Sequence, residues 1–299
     1  MQDIDRLNQQ FSLAEAVRFE MGPNGLIMIE ITTPSASAKI SLYGAQVLSY
    51  KPTHKEEFFY LSEQSVYGDA KAIRGGVPIC WPWFGDDPSG QGRPAHGFAR
   101  NQVWTVVDTH QKDTGEVAVK LQLTANAHSR QFWHCDFHLE MDIIVGASLT
   151  LRLTTTNTDK ESFTISQALH SYFQIGDINN TQVRGFDNHH YLDKTLDFTE
   201  KLQQGNIRFV TETDRIYLHA PTYCFLEDSS LNRKLLIRSA GSQTTVVWNP
   251  WQKAISLADM ANDDYQRFVC IETANAADDS VTLSPGESHQ LVAEYLIQD

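Results

Sequence analysis

Between Phe132 and Ile143 the chain alternates. Trp133, Cys135, Phe137, Leu139, Met141 and Ile143 are apolar, whereas His134, Asp136, His138, Glu140 and Asp142 are polar. Successive side chains of a strand leave opposite faces, so this period of two predicts one long strand with one face on a core and the other in water. Val117, Val119, Leu121 and Leu123 repeat the pattern, as do Leu149, Leu151 and Leu153. Shorter runs predict strands over 26–32, 39–43, 234–238, 244–248 and 290–297. Turn-forming stretches such as Asp113-Thr114-Gly115 and Gly146-Ala147-Ser148 separate them at hairpin intervals. Helical spacing is confined to 4–11 and to a turn or two near 258–264. Strands that do not alternate with helices predict an all-β protein, one large antiparallel sandwich rather than a parallel α/β sheet. With no internal repeat and no linker-like tract, the 299 residues read as a single domain, 1–25 forming an N-terminal extension to a core of about 26–297.

The longest irregular stretch, Lys71 to Arg100, holds six of the 17 glycines and four of the 10 prolines. A loop of that length in a compact domain is usually functional or disordered, and Trp81, Trp83, Phe84 and Phe98 argue against disorder. Its charge also differs from the rest. The whole chain carries −13, yet between Lys71 and Trp104 the bases Lys71, Arg74, Arg93 and Arg100 outnumber Asp86 and Asp87. A positive island in an acidic protein suits an anionic small molecule.

The overall acidity weighs against nucleic acid, whose phosphates are held by Lys and Arg, and against an anionic membrane surface. No window approaches the length of a membrane-spanning helix, and Met1 to Arg6 lacks the character of a signal peptide. Cys80, Cys135, Cys224 and Cys270 stand far apart and read as reduced thiols. A cytoplasmic monomer without nucleic-acid or membrane partners is the expectation.

Phosphate-loop, nucleophile-elbow, HExxH and dinucleotide-binding motifs are all missing from the sequence. His134, Asp136, His138 and Glu140 share a predicted strand face, but a solvated face explains them better than a metal. His170, among Leu169, Tyr172 and Phe173, reads either as a core histidine or as a reacting group. Glu272, in the apolar run Phe268 to Ile271, reads as a candidate base whose pKa burial would raise, or as half of a buried ion pair. Asp214 has the plain reading of a turn residue.

Six ordered segments then bear on function: AIRGGVPICWPWFG (72–85), PAHGFARNQVW (94–104), LHSYFQIGDI (169–178), TDRIY (213–217), VVWNPW (246–251) and CIETAN (270–275). Together they resemble the glucose-6-phosphate 1-epimerase family, the hexose-6-phosphate mutarotases of the aldose 1-epimerase-like superfamily, from about Leu26 to Ile297. The resemblance implies a galactose-mutarotase-like β-supersandwich with a sugar cleft on one sheet. It implies catalytic roles for His170 and Glu272, and substrate contacts from Arg74, Arg100 and Asp214. His96, in the same segment as Arg100, and Trp248 join them as substrate-binding candidates. Some relatives carry Gln where this chain has Ala95, which leaves Gln91 or Arg93 to supply that hydrogen bond.

The chemistry expected is general acid–base opening of a cyclic hemiacetal and its reclosure on the other face, with no metal and no cofactor. The expected partner is a small-molecule sugar phosphate. A mutarotase for free aldoses such as galactose is the same-fold alternative, and a non-catalytic carbohydrate-binding module is the alternative of a different class. The positive loop and Leu169, where the free-sugar branch more often shows Asn, favour the phosphorylated substrate.

Overall fold

The computed structural model describes residues 3–68 and 70–298. Antiparallel strands dominate it, in sheets of four, nine and eight strands with a two-stranded ribbon. The four-stranded sheet runs Val17–Met21, Ile27–Thr32, Ala36–Ser41 and Gln46–Pro52 in chain order. From the middle of the nine-stranded sheet toward one edge run Ser288–Gln298, Leu149–Asn157, Phe137–Val145 and Val117–Thr124. Phe137–Val145 and Leu149–Asn157 bury every second residue, as their alternation requires.

The eight-stranded sheet carries the site. Its order is Thr199–Leu202, His190–Asp193, Thr213–Tyr217, Thr244–Asn249, Phe268–Asn275, Gln167–Leu169 and Ile79–Cys80, and Tyr172–Gln174 also pairs with Phe268–Asn275. One large cluster of buried side chains joins the main sheets, with Ile29 and Ile40 from the first, Leu139, Leu151 and Tyr295 from the second, and Val269 and Ile271 from the third. Phe268–Asn275 is buried at every position. Val269 and Ile271 face that main core, whereas Phe268 and Cys270 face a second cluster with Tyr60, Tyr172 and Met260. Glu272 therefore belongs to the outer, loop-covered face of this strand.

Two expectations need correction. The strand predicted from Phe132 begins only at Phe137, because the chain makes a tight turn at Ser129–Gln131 that the Asn126 side chain braces through the His128 and Ser129 amides. Trp133 still packs inward, edge-on against Trp81, so apolar alternation persists without a strand. His134 and Asp136 thus leave the strand face, and no cluster of His, Cys, Asp or Glu among the described residues is arranged to hold a metal. Of the helical turns expected near 258–264, one begins at its last residue, Asp264–Gln266, and the other precedes it at Trp251–Ser256.

The helix Ile4–Phe11 forms as its spacing predicts, capped by the Asp3 carboxylate. The N-terminal segment set apart by pattern is stitched to the sandwich. Asn8 both donates to the Phe19 carbonyl and accepts from its amide, while Leu7, Val17 and Phe19 enter the main core. No helix among the described residues is long and apolar enough to cross a membrane.

The loop Lys71 to Arg100 folds back onto the sheet's Ile79–Cys80 edge through contacts that admit no side chain at Gly97. Its φ is +71°, and a Cβ there would stand 1.9 Å from the Trp81 carbonyl oxygen. Gly97→Ala is expected to cost about 2–4 kcal/mol through clash and left-handed strain, seen as a lower denaturant midpoint at unchanged slope. An unchanged midpoint would mean that this backbone contact is not a constraint.

Candidate active site

A cleft of about 470 Å³ opens on the outer face of the eight-stranded sheet, lined among others by Arg74, His96, Arg100, His170, Lys194, Asp214, Trp248 and Glu272. A wider groove of about 970 Å³ crosses the nine-stranded sheet, where Gln182 and Lys234 both turn to Glu227. The smaller cleft is the chemical one, because buried polar atoms of His170, Glu272, Asp214 and Arg100 there lack protein partners.

Strand register brings the central pair together. Leu169 stands opposite Thr273 and Tyr172 opposite Cys270, one continuous register that leaves His170 facing Glu272. The chain breaks from regular pairing at His170, whose amide bonds the Pro78 carbonyl at 3.0 Å. His170 Nε2 lies 3.4 Å from Glu272 Oε1, and the side chains are only 9% and 1% exposed. Nδ1 of His170 and Oε2 of Glu272 have no hydrogen-bond partner among the described residues.

Charge is unwelcome on either group. Burial pushes the His170 pKa well below the usual imidazole value, and His96, Arg100 and Arg74 add to the effect. Burial pushes the Glu272 pKa well above the usual carboxyl value against the pull of Lys194, and Asp214 raises it further.

Asp214 sits on the strand Thr213–Tyr217 opposite Trp248, not in a turn. Its Oδ2 pairs with Lys194 Nζ at 2.9 Å, and its Oδ1 is buried without a partner. Burial raises its pKa in spite of that lysine. Arg74 donates through Nε to Asp259 at 3.1 Å and through a terminal nitrogen to the Tyr172 hydroxyl at 2.9 Å. Arg100, on the turn Ala99–Asn101, donates to the Ala95 carbonyl at 3.0 Å. It makes no carboxylate contact among the described residues.

His96 holds a positive φ of 62°. Its Nδ1 accepts the Gly85 amide at 3.3 Å, and its ring meets that of His170 edge-on at 5.8 Å. Burial, aided by Arg100, Lys194 and Arg74, holds it well below the usual imidazole value and hence neutral. Trp248 packs edge-on to His170 at 5.8 Å and tilted on Phe268, leaving part of its surface to the cleft.

The structure does not bring all candidates together. Arg93 and Gln91 are absent from the cleft lining. The Arg93 guanidinium is occupied by Asp87 at 2.6 Å and the Phe132 carbonyl, and lies 4.1 Å over the Trp83 ring. Gln91 is exposed and gives its amide to Asp87. Both brace the loop through Asp87 and stand outside the cleft lining. Trp83 is buried and donates to the Pro94 carbonyl rather than facing a sugar.

Lys71, expected only as part of the positive loop, lines the cleft, and so do Tyr172, Lys194 and Asp259, which were not foreseen. A signal existed for Tyr172, two residues from His170 in a run of strand spacing. None existed for Asp259, which reaches Arg74 across 185 positions of sequence.

Comparison with known proteins identifies the family. The profile of the family described as "Aldose 1-epimerase" matches residues 28–296. A protein of Escherichia coli K12 named "Putative glucose-6-phosphate 1-epimerase" is 38% identical over 255 residues, 85% of this chain and 84% of that protein. One of the same name from Cenchrus ciliaris is 34% identical over 276 residues, 89% of this chain and 83% of its own. Among solved structures, a "putative mutarotase" of Salmonella typhimurium superposes with a TM-score of 0.90 at 32% identity, covering 97% of this chain and 96% of that one. A galactose mutarotase related enzyme of Lactobacillus acidophilus shares the fold, with a TM-score of 0.71 at 17% identity over 91% of this chain and 97% of its own. With the profile spanning nearly every strand and taking in both His170 and Glu272, this chain belongs to the aldose 1-epimerase family.

Proposed function

We propose that the protein interconverts the α and β anomers of a hexose 6-phosphate, glucose 6-phosphate first among them, with His170 and Glu272 as acid and base. The observation that carries this reading is the dry pair itself, 3.4 Å apart and opening on a sugar-sized cleft. A cytoplasmic setting goes with it, in keeping with four cysteines that are all free thiols.

Ring opening needs a proton delivered to the ring oxygen while another leaves the C1 hydroxyl. In our assignment protonated His170 gives its proton to the ring oxygen as the C1–ring-oxygen bond breaks. Glu272 takes the hydroxyl proton, and C1 becomes an aldehyde carbon. Rotation about C1–C2 turns the other face of the aldehyde to the C5 hydroxyl. Reclosure runs the proton transfers backwards, so the pair ends as it began and no other reactant is consumed. Both pKa shifts help. A histidine pushed down is a stronger acid once protonated, and a glutamate pushed up is a stronger base once ionised. The charged pair of the closed sugar and the neutral pair of the open sugar are thereby brought closer in energy.

Arg100 supplies an uncompensated cation for the phosphate, where a planar guanidinium binds two oxygens at once. Asp214, with Oδ1 free, is placed to accept a sugar hydroxyl, and the exposed part of Trp248 to cover the ring's apolar face. Neutral His96, with Nδ1 already accepting from Gly85, keeps its other nitrogen as a donor toward the sugar.

The decisive experiment is exchange NMR between anomers at equilibrium, comparing glucose 6-phosphate with free glucose and galactose. Acceleration confined to the phosphorylated sugar is expected. Acceleration of free sugars would move the protein to the free-aldose branch, and binding without acceleration would leave a carbohydrate-binding module.

Glu272→Gln and His170→Ala should each lower kcat by roughly 10²–10⁴-fold with the fold intact by circular dichroism. A loss below tenfold in both would remove the pair from the chemistry. Arg100→Ala should raise KM for glucose 6-phosphate about 10- to 100-fold while leaving kcat nearly unchanged, as loss of a charge-assisted contact predicts.

The active form holds one proton on the pair, whichever member carries it. A second proton binds only below the lowered histidine value, and the last leaves only above the raised glutamate value. The rate should therefore fall on the acid side below pH 6.5, the ordinary imidazole value. It should persist well above 4.5, the ordinary carboxyl value, before the alkaline limb begins. A kcat/KM profile, which reports the free protein, with its acid limb above 6.5 would contradict the lowered value of His170.

A further inference from the structure

A reacting histidine is ordinarily oriented by a third group that hydrogen-bonds its far ring nitrogen. His170 has none: its Nδ1 is buried without a partner. What holds the ring is a face. The Tyr172 ring stacks on it with centroids 4.8 Å apart and planes 12° from parallel. Tyr172 is itself fixed at both ends. Its backbone pairs with Cys270, its amide donates to the Gly76 carbonyl, and its hydroxyl accepts from Arg74 at 2.9 Å. Arg74 is in turn clamped by Asp259, whose Oδ2 accepts from Nε at 3.1 Å and stands 3.1 Å from a terminal nitrogen as an ion pair. Asp259 comes from the loop between Trp251–Ser256 and Asp264–Gln266, tied down where its own carbonyl accepts the Ser62 hydroxyl at 2.8 Å.

We propose that Asp259, Arg74 and Tyr172 form a positioning relay that sets the plane of the His170 ring. In this arrangement Arg74 acts chiefly through Tyr172 rather than as a ligand of the phosphate. The inference rests on the anomer-exchange reading of the cleft for its kinetic test only.

Charge distribution supports the division of labour. The Arg74 guanidinium already faces a carboxylate and a tyrosine hydroxyl, and its side chain is 24% exposed. Among the described residues Arg100 engages a carbonyl and no carboxylate. A dianionic phosphate gains more from the cation without a counter-ion, since binding Arg74 would first mean competing with Asp259. The relay also spans segments far apart in the chain, so the ring plane depends on the loop at 257–263 being docked.

The test uses the whole protein with Asp259→Asn, Asp259→Glu and Tyr172→Phe. Asp259→Asn keeps shape but not charge, so it is expected to fold, with its thermal midpoint checked. It should lower kcat about 10- to 100-fold, the scale of a misplaced reacting group, with KM for glucose 6-phosphate changed less than twofold. Asp259→Glu should recover most of the loss. Tyr172→Phe keeps the stack but releases Arg74, and should lower kcat to a similar extent. An altered KM at unchanged kcat in Asp259→Asn would overturn the relay and make Arg74 a phosphate ligand. If the wild type accelerates no sugar, the function fails on its own, and the imidazole NMR signals of His170 then decide the relay. They should shift and broaden in Asp259→Asn and Tyr172→Phe. Signals identical to wild type in both would overturn it.

Discussion

A carboxylate on a strand buried on both faces is the constraint around which the cleft is built. Phe268–Asn275 is covered by the main core beneath and by Tyr60, Tyr172 and the loop following Trp251 above. Charge in such a place is costly unless it is paired or discharged. Glu272 faces an imidazole that is also buried and that burial likewise pushes toward its neutral form. Neither finds a second partner among the described residues, so both stay responsive to whatever enters the cleft. A group completely satisfied by protein would be a poor proton carrier, and the orphaned atoms mark where hydrogen bonds to a ligand would be made.

Around this pair the fold distributes positive charge with restraint. The chain is strongly acidic overall, at −13, yet the cleft is lined by Lys71, Arg74, Arg100 and Lys194. Two of them are matched at once, Arg74 by Asp259 and Lys194 by Asp214. The matched cations orient side chains, and the remaining positive charge is left to attract an anion. Were all four unmatched, their field would hold Glu272 ionised and weaken it as a base. Were all four matched, no charge would remain for a phosphate.

Much of this was legible from the residues in order. Alternation located the strands at Val117–Thr124, Phe137–Val145 and Leu149–Asn157, because a half-buried strand must alternate. It failed at 132–136, where Trp133 packs inward from an irregular segment and so mimics a strand. The apolar run at 268–271 announced a buried strand, and Glu272 within it stood out for that reason. His170 was harder, since the break in pairing at that residue has no local signature. Arg93 was misread because its charge, free in sequence, is consumed by Asp87 six positions away.

The sequence by itself determined the class of fold, the position of the loop that walls the cleft and the identity of the two groups most worth suspecting. The first two follow from periodicity and composition, properties of neighbouring residues, and the third from the resemblance of six ordered segments to a known family. Only the tertiary structure decided that His170 and Glu272 face each other, because that depends on the register of two strands about a hundred residues apart. It alone brought Lys194 to Asp214 and Asp259 to Arg74, and it alone removed Gln91 and Arg93 from the site. The physical reason is common to all of these. Which charges meet, and how dry they are when they meet, is set by packing between distant segments, and no spacing along the chain encodes it.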